Sequence, residues 1–126
     1  MATVAQTRPV LPSQGNLGGP ALGGDKTQAE IEARFRQLVA VWKEQTEHLS
    51  SATKMAMHPA YQQIIGMGPV AVPWLLGELR REPDHWFWAL WAITGADPIP
   101  PENRGKVVEM AQAWLKWGEA NGYLAR

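Results

Sequence analysis

Cysteine is absent from the 126-residue sequence. Disulfides, thiolate metal ligands and cysteine nucleophiles are therefore excluded, and the chain is compatible with a reducing cytosol. A surplus of charge is missing too, because 12 basic side chains balance 12 acidic ones. That balance disfavours a polyanion-binding or membrane-surface protein. No apolar run approaches the roughly 20 residues of a membrane-spanning helix, the longest lying around Trp86 to Ile93, and the N-terminus lacks the apolar stretch of a signal peptide. A cytoplasmic location is the expectation.

Reactive groups are equally sparse. His48, His58 and His85 fall in three separate segments with no i, i+4 pair, so no metal site is expected. His58 and His85 stand at or beside expected helix starts, where an imidazole can cap or pair with a carboxylate. Ser13 lies near the N-terminus, and Ser50 and Ser51 lie at a helix end, which suits caps and turns better than a nucleophile beside a base. Glu78, Glu82, Asp84 and Asp97 are placed where charge caps helices or faces solvent. Gly66-Met67-Gly68-Pro69 lacks the lysine and the following Ser or Thr of a phosphate loop. No enzyme and no cofactor are expected.

What the chain does have is seven tryptophans. Its organising stretch is Gly66 to Gly95, which reads as two helices joined by a short turn. Pro69 suits a first helical position, Pro73 still falls near the first turn, and Val72, Leu75, Leu76 and Leu79 repeat at helical spacing. Arg80 and Arg81 suit a helix C-terminus, and Glu82-Pro83-Asp84 forces a turn. Asp84 is expected to cap a second helix, His85 to Thr94, ended by Gly95 in the left-handed region. That helix is apolar on nearly all sides, with Trp86, Phe87, Trp88, Leu90, Trp91 and Ile93, and such a helix is normally buried between neighbours.

Upstream, residues 1–25 are rich in Gly, Pro, Gln, Ser and Ala and are expected to form a disordered tail before a single domain, residues 26–126. Thr27-Gln28-Ala29-Glu30 is a capping-box signature. It should open an amphipathic helix of about 20 residues with Ile31, Phe35, Leu38, Val39 and Trp42 on its apolar side. Ser50 to Thr53 breaks the pattern. Pro59 begins a short helix through Tyr61, Ile64 and Ile65 that Gly66 ends. Downstream, Asp97-Pro98-Ile99-Pro100-Pro101 must be an extended, stiff loop. Pro101 or Glu102 is expected to open the last helix, carrying Val107, Met110, Ala111, Trp114, Leu115 and Trp117. Asn121-Gly122 should end it and leave Tyr123-Leu124 as a hydrophobic clasp.

The segment Gly68-Pro69-Val70-Ala71-Val72-Pro73-Trp74-Leu75-Leu76-Gly77-Glu78-Leu79, with the following helix through Ala89, Leu90, Ala92 and Ile93, resembles one unit of the HEAT-repeat class, of the short bacterial type. About thirty residues match well and about sixty loosely, and the end of the chain through Trp114 and Trp117 is similar to how some bacterial HEAT-like proteins finish. A second equally good copy is absent, and Trp86, Trp88 and Trp91 stand where HEAT units usually carry smaller or charged residues. The resemblance implies helix pairing and a scaffolding or recognition role, and it carries no catalytic residues. Met55 to Tyr123 also resembles small bacterial proteins without an assigned activity. By analogy with short neutral proteins encoded beside a companion, an accessory or antitoxin-like role is conceivable.

The expectation is thus an all-α fold, a small HEAT-like bundle of four to five helices. It should bind a partner protein, or a second copy of itself, through the tryptophan-rich helix and the proline loop. Trp86, Trp88, Trp91, Pro100 and Arg104 are the candidate binding residues. The three helix indoles cannot all point into one small core, so at least one should be exposed or lie in an interface. A competing expectation is a cleft for a small ligand or single-stranded nucleic acid lined by Trp86, Trp88, Trp91 and Arg104, although stacking on nucleic acid normally comes with a positive groove. A remote one is an enzyme using Glu82, Asp84 and His85.

Overall fold

The computed structural model describes residues 27–124. The expected tail, residues 1–25, lies outside the described residues. The chain divides into two units, Met1–Ile31 and Glu32–Arg126. In the first, the described part is the start of helix α1 (Gln28–Thr46). Its capping box forms: the Thr27 N–H donates to Glu30 Oε1 at 2.8 Å and the Glu30 N–H to Thr27 Oγ1 at 3.1 Å.

The second unit is all-α, with no strand among the described residues. After α1 come α2 (Ala52–Ala56), α3 (Pro59–Met67), a 3₁₀ turn (Gly68–Ala71), α4 (Val72–Arg81), α5 (Phe87–Thr94), a second 3₁₀ turn (Pro101–Asn103) and α6 (Val107–Ala120). Local chemistry accounts for most boundaries. His58 caps α3: its Nδ1 accepts from the Ala60 N–H at 3.0 Å, so Nε2 carries the hydrogen and donates to Gln45 Oε1 at 2.7 Å. Gly95, at φ 73°, takes the left-handed conformation that ends α5.

Five boundaries differ from the sequence expectation. Gly66 does not end α3, which runs on to Met67, because the glycine with positive φ, at 77°, is Gly68. The short α2 replaces an expected break, because the Ser51 hydroxyl accepts from the Lys54 N–H and starts a turn. Pro69 opens the 3₁₀ turn, and Pro73 lies in the first turn of α4 instead. Asp84 does not cap α5: its Oδ1 accepts from the adjacent His85 N–H at 2.7 Å, and the helix begins at Phe87. The last helix starts at Val107, because the chain from Pro101 turns once as 3₁₀ and then passes through Gly105 at φ 87°.

The core of the second unit is continuous from Phe35 to Trp114. α3 packs on α5 and α4 on α6. Gly118 permits the second approach, since a Cβ there would come within 2.6 Å of Leu76 Cδ1. Beyond the helix end, the Tyr123 N–H returns to the Gly118 carbonyl at 2.8 Å and the Tyr123 ring stacks on Trp117, centroids 5.4 Å apart. The clasp expected of Tyr123 and Leu124 is therefore formed, with both residues packed against the core.

Long side chains bring α1 to this core. The Trp42 indole N–H donates to the Met55 carbonyl at 2.8 Å. Arg36 donates to the buried Glu78 carboxylate at 2.6 Å, and Lys43 donates to Glu82 at 2.9 Å. Arg81 also meets Glu78 Oε2 at 2.6 Å, so one buried acid on α4 gathers cations from two helices.

Candidate functional site

Helix α5 carries no polar face, so position alone decides the fate of each indole. Trp86, at the helix cap, is fully buried and lies between Trp42, with ring centroids 4.3 Å apart, and Tyr61, whose ring is stacked on it at 5.4 Å. Trp88 and Trp91 are three residues apart on one face and remain 39% and 54% exposed. The helix start that Asp84 leaves uncapped is completed from α3. The Tyr61 hydroxyl accepts from the Ala89 N–H and donates to the His85 carbonyl, both at 2.9 Å. A buried phenol thus supplies the oxygen that a cap side chain normally provides, and it holds the exposed pair in place from beneath.

Trp88 and Trp91 line a trough of about 450 Å³ whose other apolar walls are Phe87 from α5, Ile99 from the proline loop, and Met110 and Trp114 from α6. Asp97 and Arg104, at the two ends of that loop, complete the lining as an ion pair with both side chains about half exposed. A second cavity of about 260 Å³ shares Phe87, Trp88 and Met110 with the first and continues past Tyr61, His85 and Val107. Alternate residues of the loop serve different surfaces, as an extended chain requires: Asp97 and Ile99 line the trough, while Pro98 and Pro100 line a separate cleft of about 510 Å³ beside Trp117.

Of the five residues expected at a binding surface, the structure brings Trp88, Trp91 and Arg104 together. Trp86 is in the core, where no ligand reaches it, because the helix begins after it and its ring turns towards Trp42 and Tyr61. Pro100 is turned to the other cleft by the alternation of the loop. Sequence reasoning missed Phe87, Asp97, Ile99, Met110 and Trp114 as trough residues. A usable signal was present, in that opposite charges at Asp97 and Arg104 bracket the prolines and Ile99 is the one apolar side chain between prolines.

Electrostatically the trough is close to neutral. Among the described residues Arg104 is the one cation lining it, and Asp97 holds it. The indole N–H groups of Trp88 and Trp91 have no partner among the described residues. The site therefore offers apolar ring faces, free donors and a single carboxylate. Nothing in it pairs a nucleophile with a base.

Glu82, Asp84 and His85 do share a cavity, of about 360 Å³, with Trp42, Lys43 and Glu47. The hydrogen bond and charge of Lys43 hold the Glu82 carboxyl below its ordinary range, which makes it a weak base. The Asp84 carboxylate is engaged with the His85 backbone rather than with the imidazole. Among the described residues no group of three His, Asp or Glu side chains is placed to hold a metal ion, and no helix is long and apolar enough to cross a membrane.

No family model, curated protein or solved structure matches the chain.

Proposed function

We propose that this chain is a non-enzymatic docking module that binds a partner protein through the trough beside Trp88 and Trp91. The observation that supports it most is the division of indoles: Trp42, Trp86 and Trp114 are almost wholly buried, while two neighbours on one helix face stay exposed beside an apolar cavity. Aromatic side chains in such settings are the usual anchors of protein interfaces, each worth about 2 kcal/mol or more when buried by a partner. In this reading the α4–α5 hairpin is used as a bacterial HEAT-like unit, and the protein acts in the cytoplasm as the accessory of a companion.

The reading is tested by affinity capture from the source extract, with the captured partner then purified and titrated against variants. Trp91→Ala should lose the partner, and Met57→Ala, which alters an exposed apolar side chain outside the trough, should keep it. Equal binding by both variants overturns the proposal. Light scattering of the purified chain over a range of concentrations shows whether the partner is a second copy.

The volume of the trough favours a second reading, a small apolar ligand, since about 450 Å³ falls in the roughly 300–1,000 Å³ range of ligand pockets. Nucleic acid is disfavoured by the lone, paired Arg104.

A further inference from the structure

We infer that the segment the trough receives is a proline-rich peptide in the polyproline II conformation, an inference that rests on the docking reading above. The first argument is the balance of donors and acceptors. Trp88 and Trp91 present indole N–H groups with no partner among the described residues, and Arg104 presents the guanidinium donors that Asp97 does not occupy. The acceptor among the charged side chains lining the trough is Asp97 alone. A surface rich in donors and poor in acceptors complements a backbone with carbonyls and few N–H groups. Prolyl segments have that backbone, fully solvated and without internal hydrogen bonds.

The second argument is shape. The two cavities lie side by side with Trp88, Phe87 and Met110 as their common wall. Polyproline II repeats every three residues, a rise of roughly 9 Å per turn, so prolyl rings one turn apart project from the same edge, an arrangement suited to two adjoining apolar cavities. Aromatic-lined grooves are the recurrent receptors of such segments, in part because the ligand loses little entropy on binding.

The third argument is that the chain's own loop takes this backbone beside an aromatic-lined cleft. Pro100 has φ −63° and ψ 148°, within the polyproline II region, and it lines with Pro98 the cleft beside Trp117. Other occupants fit less well. An added strand needs a sheet edge, and the described residues contain no strand. A helix has already spent its carbonyls internally and leaves the indole donors unanswered. The Asp97–Arg104 pair leaves the trough close to neutral, so no flanking charge is called for.

The test uses the full chain and calorimetry, so that the readout does not depend on indole emission. The ligands are acetylated, amidated decaproline and a Gly-Ser peptide of equal length. Saturable binding of decaproline, absent with Gly-Ser, is expected. Trp91→Ala should weaken it at least tenfold, with an unchanged circular dichroism spectrum. The inference is overturned if decaproline does not saturate, if Gly-Ser binds equally, or if Trp91→Ala binds decaproline as the native chain does. Should decaproline fail while the captured partner still depends on Trp91, the ligand class falls and the docking reading stands; should neither depend on Trp91, both fall.

Discussion

Beneath α5, Trp42, Tyr61 and Trp86 form a sealed cluster; above the same helix, Trp88 and Trp91 border an open trough. The residues are of the same types, and the two regions share one eight-residue helix. They differ in exposure, and in part in what answers their polar atoms. In the cluster, Trp42 and Tyr61 spend their N–H and O–H on backbone groups of other elements. In the trough the indole N–H groups have no such partner among the described residues. The Trp86 Nε1 is itself buried without a partner, so the firmer division is one of exposure: the lower rings are enclosed by the fold, and the upper pair stands in solvent.

The sharpest way to break this contrast is to truncate one indole from each side. Trp86→Ala should cost about 3–5 kcal/mol, because the surrounding rings cannot collapse into the space of a fully buried indole. Urea denaturation measures it. Trp86→Phe should cost much less, since the Trp86 Nε1 is buried without a partner and its loss removes an unsatisfied donor.

Next in size is Tyr61→Phe, expected to cost about 1–3 kcal/mol by leaving the Ala89 N–H and the His85 carbonyl unanswered. Its pH dependence is a separate check. Burial pushes the Tyr61 hydroxyl above its ordinary value and the Asp84 charge adds to this, against the hydrogen bond from Ala89. The unfolded phenol ionises near pH ~10, before the folded one does. The unfolded state therefore holds fewer protons above that pH, and the contribution, complete below it, is lost as pH rises through the folded value. Denaturation midpoints should fall with alkalinity in the native chain, and the fall should be shallower in Tyr61→Phe.

Glu78→Gln probes the other polar tie of the core. Glu78 is buried and receives Arg36 and Arg81, whose own side chains are 45% and 67% exposed. The exposed cations can rehydrate, so the expected loss is about 1–2 kcal/mol rather than that of an ion pair buried on both sides. Stability of the variant should also depend less on salt.

How much of this was legible in the sequence depended on the range of the interaction. The capping box at Thr27 and Glu30, the Gly95 terminus and the Tyr123-Leu124 clasp each rest on groups a few residues apart, and each was readable. The start of α5 was not. Asp84 had the right type and spacing for a cap, yet the phenol of Tyr61, arriving from α3, holds the helix start instead. The site divided in the same way. Helical spacing put Trp88 and Trp91 on one face and set Trp86 apart, whereas the walls from α6 and the proline loop come from distant elements and needed the tertiary fold. Gly105 was a local signal left unused, since its left-handed backbone is what delays α6 to Val107.

The smallest expected effect is the most telling for function. Trp91 lines the trough alone, while Trp88 also forms the wall it shares with the second cavity. Trp88→Ala should therefore cost up to about 1 kcal/mol and Trp91→Ala within about 0.5 kcal/mol, the range of surface substitutions away from special features. A large apolar ring kept in water at little expected gain to folding is the feature on which the docking proposal stands. Denaturation curves of the two variants, set beside their affinities for decaproline, separate the roles: stability nearly native and affinity down at least tenfold in Trp91→Ala. If Trp91→Ala instead destabilised the chain as much as Trp86→Ala, the upper indoles would be core residues after all, and the two faces of α5 would not differ in purpose.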